Sequence, residues 1–231
     1  MKHIFRSALD LISPRACHIC GKRLAVTEEG ICGVCNWHLP RTRFTENAED
    51  NELARLFWGR FPIEKAASLF FYKPHDEPSQ LIYDLKYHSK EYLGFWLGSL
   101  LAKEAQKSGF FADIDVIVPV PITLGRRWQR GYNQSERIAQ GIHEVTGIPM
   151  VRNAIKRIRF SQSQTHLSSS ERMDNVEGAF RLVNPQKVEG KHILLIDDII
   201  TTGATITVCA KELQKAGNVR FSVLSIGFTK N

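Results

Sequence analysis

Between Asp115 and Phe228 the apolar positions fall into short unbroken runs separated by amphipathic stretches. Val116-Ile117-Val118 runs into Pro119 and Pro121, and His192 to Ile196 (HILLI) and Val219 to Phe228 form two further runs. Apolar runs of that length without polar alternation are expected of strands buried on both faces. Between them, Ser135 to Val145 carries apolar residues at helical spacing, with Asn133 or Ser135 as N-cap and Gly147-Ile148-Pro149 as a stop. Thr205 to Ala216 reads as another helix, ended by Gly217. This alternation predicts an α/β fold: an open, mainly parallel sheet covered by helices on both faces.

Upstream the pattern changes. Ile4, Phe5, Ala8, Leu9 and Ile12 have the spacing of a short amphipathic helix stopped by Pro14. Phe44 to Asn51 is polar and acidic and reads as a linker or loose surface segment. Ala66 to Tyr72 has the character of a strand, and Leu81 to Ala105 that of one or two helices. The 231 residues are enough for one full domain plus an appendage. The division expected is a module over residues 1–43 and a sheet domain over 44–231. No apolar run approaches the roughly 20 residues that cross a bilayer, and Met1 to Ser13 lacks the form of a signal peptide. The expectation is a cytoplasmic chain with no membrane insertion.

The appendage holds Cys17, Cys20, Cys32 and Cys35, two Cys-x2-Cys turns separated by eleven residues. Two such turns present four thiolates to one tetrahedral ion, the arrangement of a closed, structural Zn²⁺ site. Two disulfides, in any of three connectivities, or a redox Cys-x-x-Cys are the competing readings. The lack of an export signal favours zinc. Cys209 reads as an inert buried thiol.

The stretch His192 to Thr205 (HILLIDDIITTGAT) carries the clearest chemistry. A buried strand delivers Asp197 and Asp198 to its C-terminal edge, followed by the small-residue loop Thr201, Thr202, Gly203, Ala204 and Thr205 and then a helix. Gly203 permits a backbone that turns successive amides into one concavity, and the helix start adds positive potential, so the loop suits a phosphate. It is not a Walker loop, because no Gly-Lys-Ser/Thr is present. Adjacent carboxylates would repel a phosphate unless they faced something else, and ribose hydroxyls are the natural partner. A sugar 5-phosphate fits these residues.

Charge sharpens this picture. The formal net charge is +7, and residues 126–172 alone carry +6. Arg126, Arg127 and Arg130 follow the Pro-Val-Pro strand end and lead into Gly131-Tyr132-Asn133-Gln134, where an Arg-rich loop would stand close to the phosphate cradle. Arginine suits bidentate contacts to a pyrophosphate. Residues 157–172 are polar and structure-poor, the composition of a flap, with Arg157, Gln162, Gln164 and Arg172 as candidate contacts.

The Asp-Asp loop resembles the signature of type I phosphoribosyltransferases, which bind 5-phosphoribosyl-1-pyrophosphate (PRPP). Its combination with two Cys-x2-Cys pairs, the Pro-Val-Pro strand end and Arg-Gly-Tyr-Asn-Gln is similar to the ComF family, from Pro14 to about Phe228. Tyr132 stands where Phe is common in that family. Amidophosphoribosyltransferase itself is not expected, since no glutaminase-type domain or N-terminal catalytic cysteine precedes the sheet. The resemblance implies a sheet of the type I phosphoribosyltransferase kind, with Asp197 and Asp198 on the ribose hydroxyls and residues 201–205 on the 5-phosphate. It also implies Mg²⁺ arriving with PRPP, a place in nucleoside metabolism, and an association with DNA uptake in competence. If the site turns over, Asp197, Asp198, Arg126, Arg127 and Arg130 are the expected catalytic residues, acting on an acceptor that the sequence does not name. Two other readings stay open: a non-catalytic PRPP sensor, and a single-stranded DNA-binding protein acting with the DNA-uptake machinery. In the last, Trp128 and Tyr132 among the arginines would stack on bases.

Overall fold

The computed structural model describes residues 14–87, 90–158 and 178–230. Residues 1–13, and with them the expected N-terminal helix, lie outside it, as do Gln162, Gln164 and Arg172.

The centre is a four-stranded, all-parallel sheet in the order β1-β6-β5-β2, with β1 at Ile63–Phe71, β2 at Val116–Pro119, β5 at His192–Ile200 and β6 at Arg220–Phe228. Successive residues of a strand face opposite sides, and each central strand is apolar on both. Ile117, Leu194, Ile196, Leu224 and Ile226 join one core. Val116, Val118, Ile193, Leu195, Phe221 and Val223 join the other.

The first core is covered by α3 (Ser79–Tyr87), α4 (Glu91–Gln106) and α6 (Gln134–Thr146). Helices α4 and α6 approach so closely that a Cβ on Gly98 would lie 2.1 Å from the Ile138 carbonyl oxygen, and one on Gly141 would lie 2.0 Å from that of Phe95. Side chains at either position would force the helices apart, which is why an otherwise apolar helix tolerates these glycines. The second core is covered by α7 (Ala204–Gln214) and the short α2 (Glu52–Arg55).

Three sequence expectations need correction. Residues 44–51 are not a loose linker. Phe44 packs edge-on against Phe71 at 5.6 Å, and buried Asn51 accepts from the amides of Leu53 and Ala54 while donating to the Asn47 and Ala66 carbonyls. The arginine-rich segment is not a loop but a helix, α5 (Leu124–Arg130), capped by the Thr123 hydroxyl and ended by Gly131 in the left-handed conformation. The structure-poor reading from residue 157 also fails at its start, because β3 (Ile155–Arg157) pairs antiparallel with β4 (Phe180–Leu182).

The cysteine segment, which includes α1 (Gly33–His38), docks on the same body. Cys17, Leu24, Ile31, Cys32 and Leu39 are buried in the first core, and Gly30 lies against the Trp96 ring of α4.

Candidate functional site

β5 does not stop at Ile196 as its apolar run suggests. It continues to Ile200, pairing Asp197 with Ser225 and Ile200 with Phe228. The two acids therefore sit within the strand's C-terminal half, within reach of the start of α6 and the end of α3. Asp197 accepts from the Ser135 hydroxyl at the start of α6 (3.1 Å) and from the Asp198 amide (2.9 Å). Burial, followed by the neighbouring charge of Asp198, pushes its pKa up to about 7. Asp198 faces α3, where the Lys86 ammonium lies 3.3 Å from its Oδ2, while its Oδ1 accepts from the Ile199 amide at 2.7 Å.

The chain then turns through Thr201 and Thr202 into α7. Gly203 has φ +72°, and a Cβ there would meet Phe57 Cε1 at 2.6 Å and Leu56 Cδ2 at 3.1 Å. Glycine is required twice over, by the backbone and by the packing. Arg60 donates to the Thr202 carbonyl at 3.0 Å and fixes the turn from outside. The result is a small cavity of about 50 Å³ lined by Asp197, Ile199, Ile200 and residues 201–206. The first amides of α7 have no intrahelical acceptor and border the same space.

The basic residues are dispersed. Arg127 lines a larger groove, about 840 Å³, between the β2 end, the start of α6 and β3, together with Glu136, Arg152, Lys156 and Arg157. Glu136 pairs with both Arg127 (3.8 Å) and Arg152 (2.9 Å). Arg130 turns away from that groove, donating to Gln134 at 3.1 Å and lying 5.8 Å above the Tyr87 ring. Arg126 interacts electrostatically with Arg157. Arg157 is a stem residue of the β3–β4 pair, stacked on Phe180 at 5.2 Å, with a buried Nε that has no hydrogen-bond partner. Burial and the charge of Arg126 lower its pKa. Trp128 is 88% exposed, whereas Tyr132 is buried with its hydroxyl donating to the Leu85 carbonyl at 2.5 Å. Tyr132 is a structural anchor and is not presented for base stacking.

The four cysteine sulfurs lie within 4.8 Å of one another. Cys20 and Cys32 are 3.8 Å apart, matching the edge of about 3.8 Å in a tetrahedron with Zn–S bonds of about 2.3 Å. The Cys32 amide donates to Cys17 Sγ at 3.3 Å and the Cys35 amide to Cys32 Sγ at 3.5 Å. Burial opposes ionisation of Cys17, but the amides of Cys20, Cys32 and Ile19 outweigh it and bring the thiol down to about 7. Burial and the surrounding sulfurs push Cys35 up. Four converging sulfurs held without a disulfide are compatible with one structural metal ion.

No family model matches the chain. Among curated proteins, the DNA utilization protein YhgH of Salmonella typhi is 31% identical over 217 residues, covering 90% of this chain and 94% of that protein. The chain belongs to the ComF/YhgH family. Another member, the YhgH protein of Escherichia coli K12, is 30% identical over the same length. Competence protein F of Haemophilus influenzae is 33% identical over 131 residues, 53% of this chain and 57% of that one. Solved structures give partial matches. A Bacillus subtilis glutamine PRPP amidotransferase aligns at 24% identity and a TM-score of 0.40, covering 61% of this chain and 30% of that one. A Trypanosoma cruzi hypoxanthine phosphoribosyltransferase aligns at 13% identity and a TM-score of 0.35, covering 62% and 65%.

Within this ComF/YhgH chain the structure brings Asp197 together with residues 201–205 and adds Lys86 and Ser135, which sequence reading missed. Ser135 directly follows the Arg-Gly-Tyr-Asn-Gln run, where the sequence alone offers it only as an alternative N-cap to Asn133. Lys86 belongs to no motif, and only the fold brings it to Asp198.

Proposed function

We propose that the chain binds PRPP with Mg²⁺ and acts as a phosphoribosyltransferase, displacing pyrophosphate with an acceptor. One observation carries this reading: Asp197 and the backbone of residues 199–206 line the same small cavity. A carboxylate suited to ribose hydroxyls and helix amides suited to a 5-phosphate thereby stand side by side. In the reaction, the bond from the anomeric carbon to the pyrophosphate oxygen breaks and pyrophosphate leaves with the electron pair. The acceptor's lone pair forms the new bond to that carbon. Asp197 and Asp198 favour the positive charge developing on the ribose, and Arg126 and Arg127 favour the negative charge on the leaving group. Arg130 reaches that role only by leaving Tyr87 and Gln134. The 840 Å³ groove, with Arg127, Lys156 and Arg157 on its walls, has the size and charge for a pyrophosphate. Carboxylates and threonine hydroxyls are the oxygen donors that Mg²⁺ takes, and the ion would neutralise the pyrophosphate. The cysteine cluster is read as holding Zn²⁺, and its reduced thiols fit a cytoplasmic setting.

Calorimetric titration with PRPP and Mg²⁺ tests the reading. Asp197→Ala with Asp198→Ala should abolish binding while the fold survives, and unchanged affinity would remove the proposal. Pyrophosphate release on incubation with candidate acceptors then tests turnover.

A second reading is favoured by the exposed Trp128 among Arg126, Arg127 and Arg130, in a chain whose relatives are named for DNA utilization and competence. Here α5 contacts single-stranded DNA by stacking and phosphate pairing. Binding should fall steeply with salt and weaken on Trp128→Ala or charge reversal at Arg126 and Arg127. A low-salt titration showing no change in these variants would sink it.

A further inference from the structure

The last turn of α3 makes four different attachments with four successive residues. Asp84, almost fully buried, accepts from Lys90 (2.6 Å), from the His18 ring within the first Cys-x2-Cys turn (2.7 Å), and from Gln80 (2.8 Å). The Leu85 carbonyl accepts from Tyr132. Lys86 meets Asp198, and the Tyr87 ring lies beneath Arg130. Leu81, Ile82 and Leu85 anchor the inner face in the core. An ammonium on a helix clamped in this way is delivered to its partner by a rigid element, which is how site residues are held to useful precision.

Lys86 also stands at a boundary. Toward the sheet it touches Asp198, and both side chains are mostly shielded from solvent, 24% and 14% exposed. On the other side it lines a cavity of about 620 Å³ between α3 and the segment after β1, walled partly by Tyr72, Tyr83 and Tyr87. One Asp198 oxygen is engaged by the Ile199 amide and the other by Lys86, so the carboxylate is held from both oxygens. Two adjacent carboxylates without a counter-charge would repel an anionic ligand. Lys86 supplies that counter-charge where a ribose would approach.

We propose that Lys86 is a positioning residue of the sugar-phosphate site, holding the Asp198 carboxylate oriented for a ribose hydroxyl and offsetting the acid pair's repulsion of the ligand's phosphates. This rests on the PRPP reading above. Because the ammonium acts through Asp198, its contribution should disappear when Asp198 no longer carries charge.

The test is a calorimetric double-mutant cycle with PRPP and Mg²⁺ as the probe. Lys86→Met should weaken binding about tenfold in the chain with Asp198 intact, and Lys86→Arg should restore most of it. In an Asp198→Asn background, which keeps one acceptor oxygen for a hydroxyl, Lys86→Met should change affinity by less than about twofold. A merely structural lysine would cost the same in both backgrounds. That result, or a Lys86→Met variant that binds like the parent, overturns the proposal while leaving the PRPP reading standing. Failure of the parent chain to bind PRPP overturns both.

Discussion

Gly203→Ala is the sharpest probe of how the turn into α7 is built, because two separable costs meet at one atom. The first is conformational: at φ +72°, an alanine pays about 1–2 kcal/mol relative to glycine. The second is steric, since the new Cβ would sit 2.6 Å from Phe57 Cε1. Phe57 is fully buried and packs against Phe61 with ring centroids 5.3 Å apart, so its ring cannot swing into solvent. Overpacking of this kind costs about 1–3 kcal/mol, giving about 2–5 kcal/mol altogether. Urea unfolding of Gly203→Ala, Phe57→Leu and the double variant separates the two. In the Phe57→Leu background the alanine should cost about 1–3 kcal/mol less, since the ring clash is relieved and the backbone penalty and the milder Leu56 contact at 3.1 Å remain. PRPP affinity should fall in Gly203→Ala and partly recover in the double variant. A Gly203→Ala cost below about 0.5 kcal/mol, or one unchanged by Phe57→Leu, would refute the account of this turn.

Other consequences are as concrete. Burial and Asp198 raise the Asp197 pKa to about 7 from an ordinary 3.8, so the stability tied to its neutral form is complete below about pH 4 and is lost as pH rises through 7. Asp197→Asn, which stays neutral, should therefore gain stability over the parent between pH 5 and pH 8 in chemical unfolding, and a pH-independent difference would contradict this. For Asp84, burial opposes ionisation, but Lys90, His18 and Gln80 outweigh it and hold the carboxyl at about 2. Its contribution is present above about pH 4 and is lost as pH falls through 2. Removing the carboxylate as Asp84→Ala at neutral pH should cost about 3 kcal/mol and speed amide exchange in the first Cys-x2-Cys turn; full stability would refute the clamp. Protein purified without chelator should carry about one equivalent of zinc, falling on Cys35→Ser, and metal analysis well below that in the parent would count against the cysteine site.

What was legible in the sequence divides along physical lines. Strands buried on both faces announce themselves as apolar runs, so β2, β5 and β6 were found, but β5 was cut short. Its last turnward residues include Asp197 and Asp198, and periodicity treats charged residues as an edge when the sheet in fact continues beneath them. The helix at Leu124–Arg130 was missed because its composition is arginine-rich and its apolar residues, Leu124 and Trp128, face outward. A capping signal was nevertheless present, with Thr123 at the start and Gly131 at the end. The three-residue strands β3 and β4 carry no readable period at all. The polar segment at 44–51 looked like a linker because its structure depends on one buried amide, Asn51, whose partners are set by the fold.

Charge shows the same limit more sharply. Counting placed nearly the whole excess at residues 126–172, yet counting does not see pairing. Glu136 serves both Arg127 and Arg152, Arg137 pairs with Glu91, and Arg130 is committed to Gln134 and Tyr87. Among the described residues, the cation paired with Asp198, Lys86, comes from outside that window altogether. An arginine already bound to a carboxylate is less available to neutralise a ligand phosphate and release its counterion, so it adds little to salt dependence. Anion binding at this surface should therefore depend on ionic strength less steeply than the number of basic residues implies. It should respond most to Lys156 and Arg157, which line the groove, and to Lys86, which faces the acids.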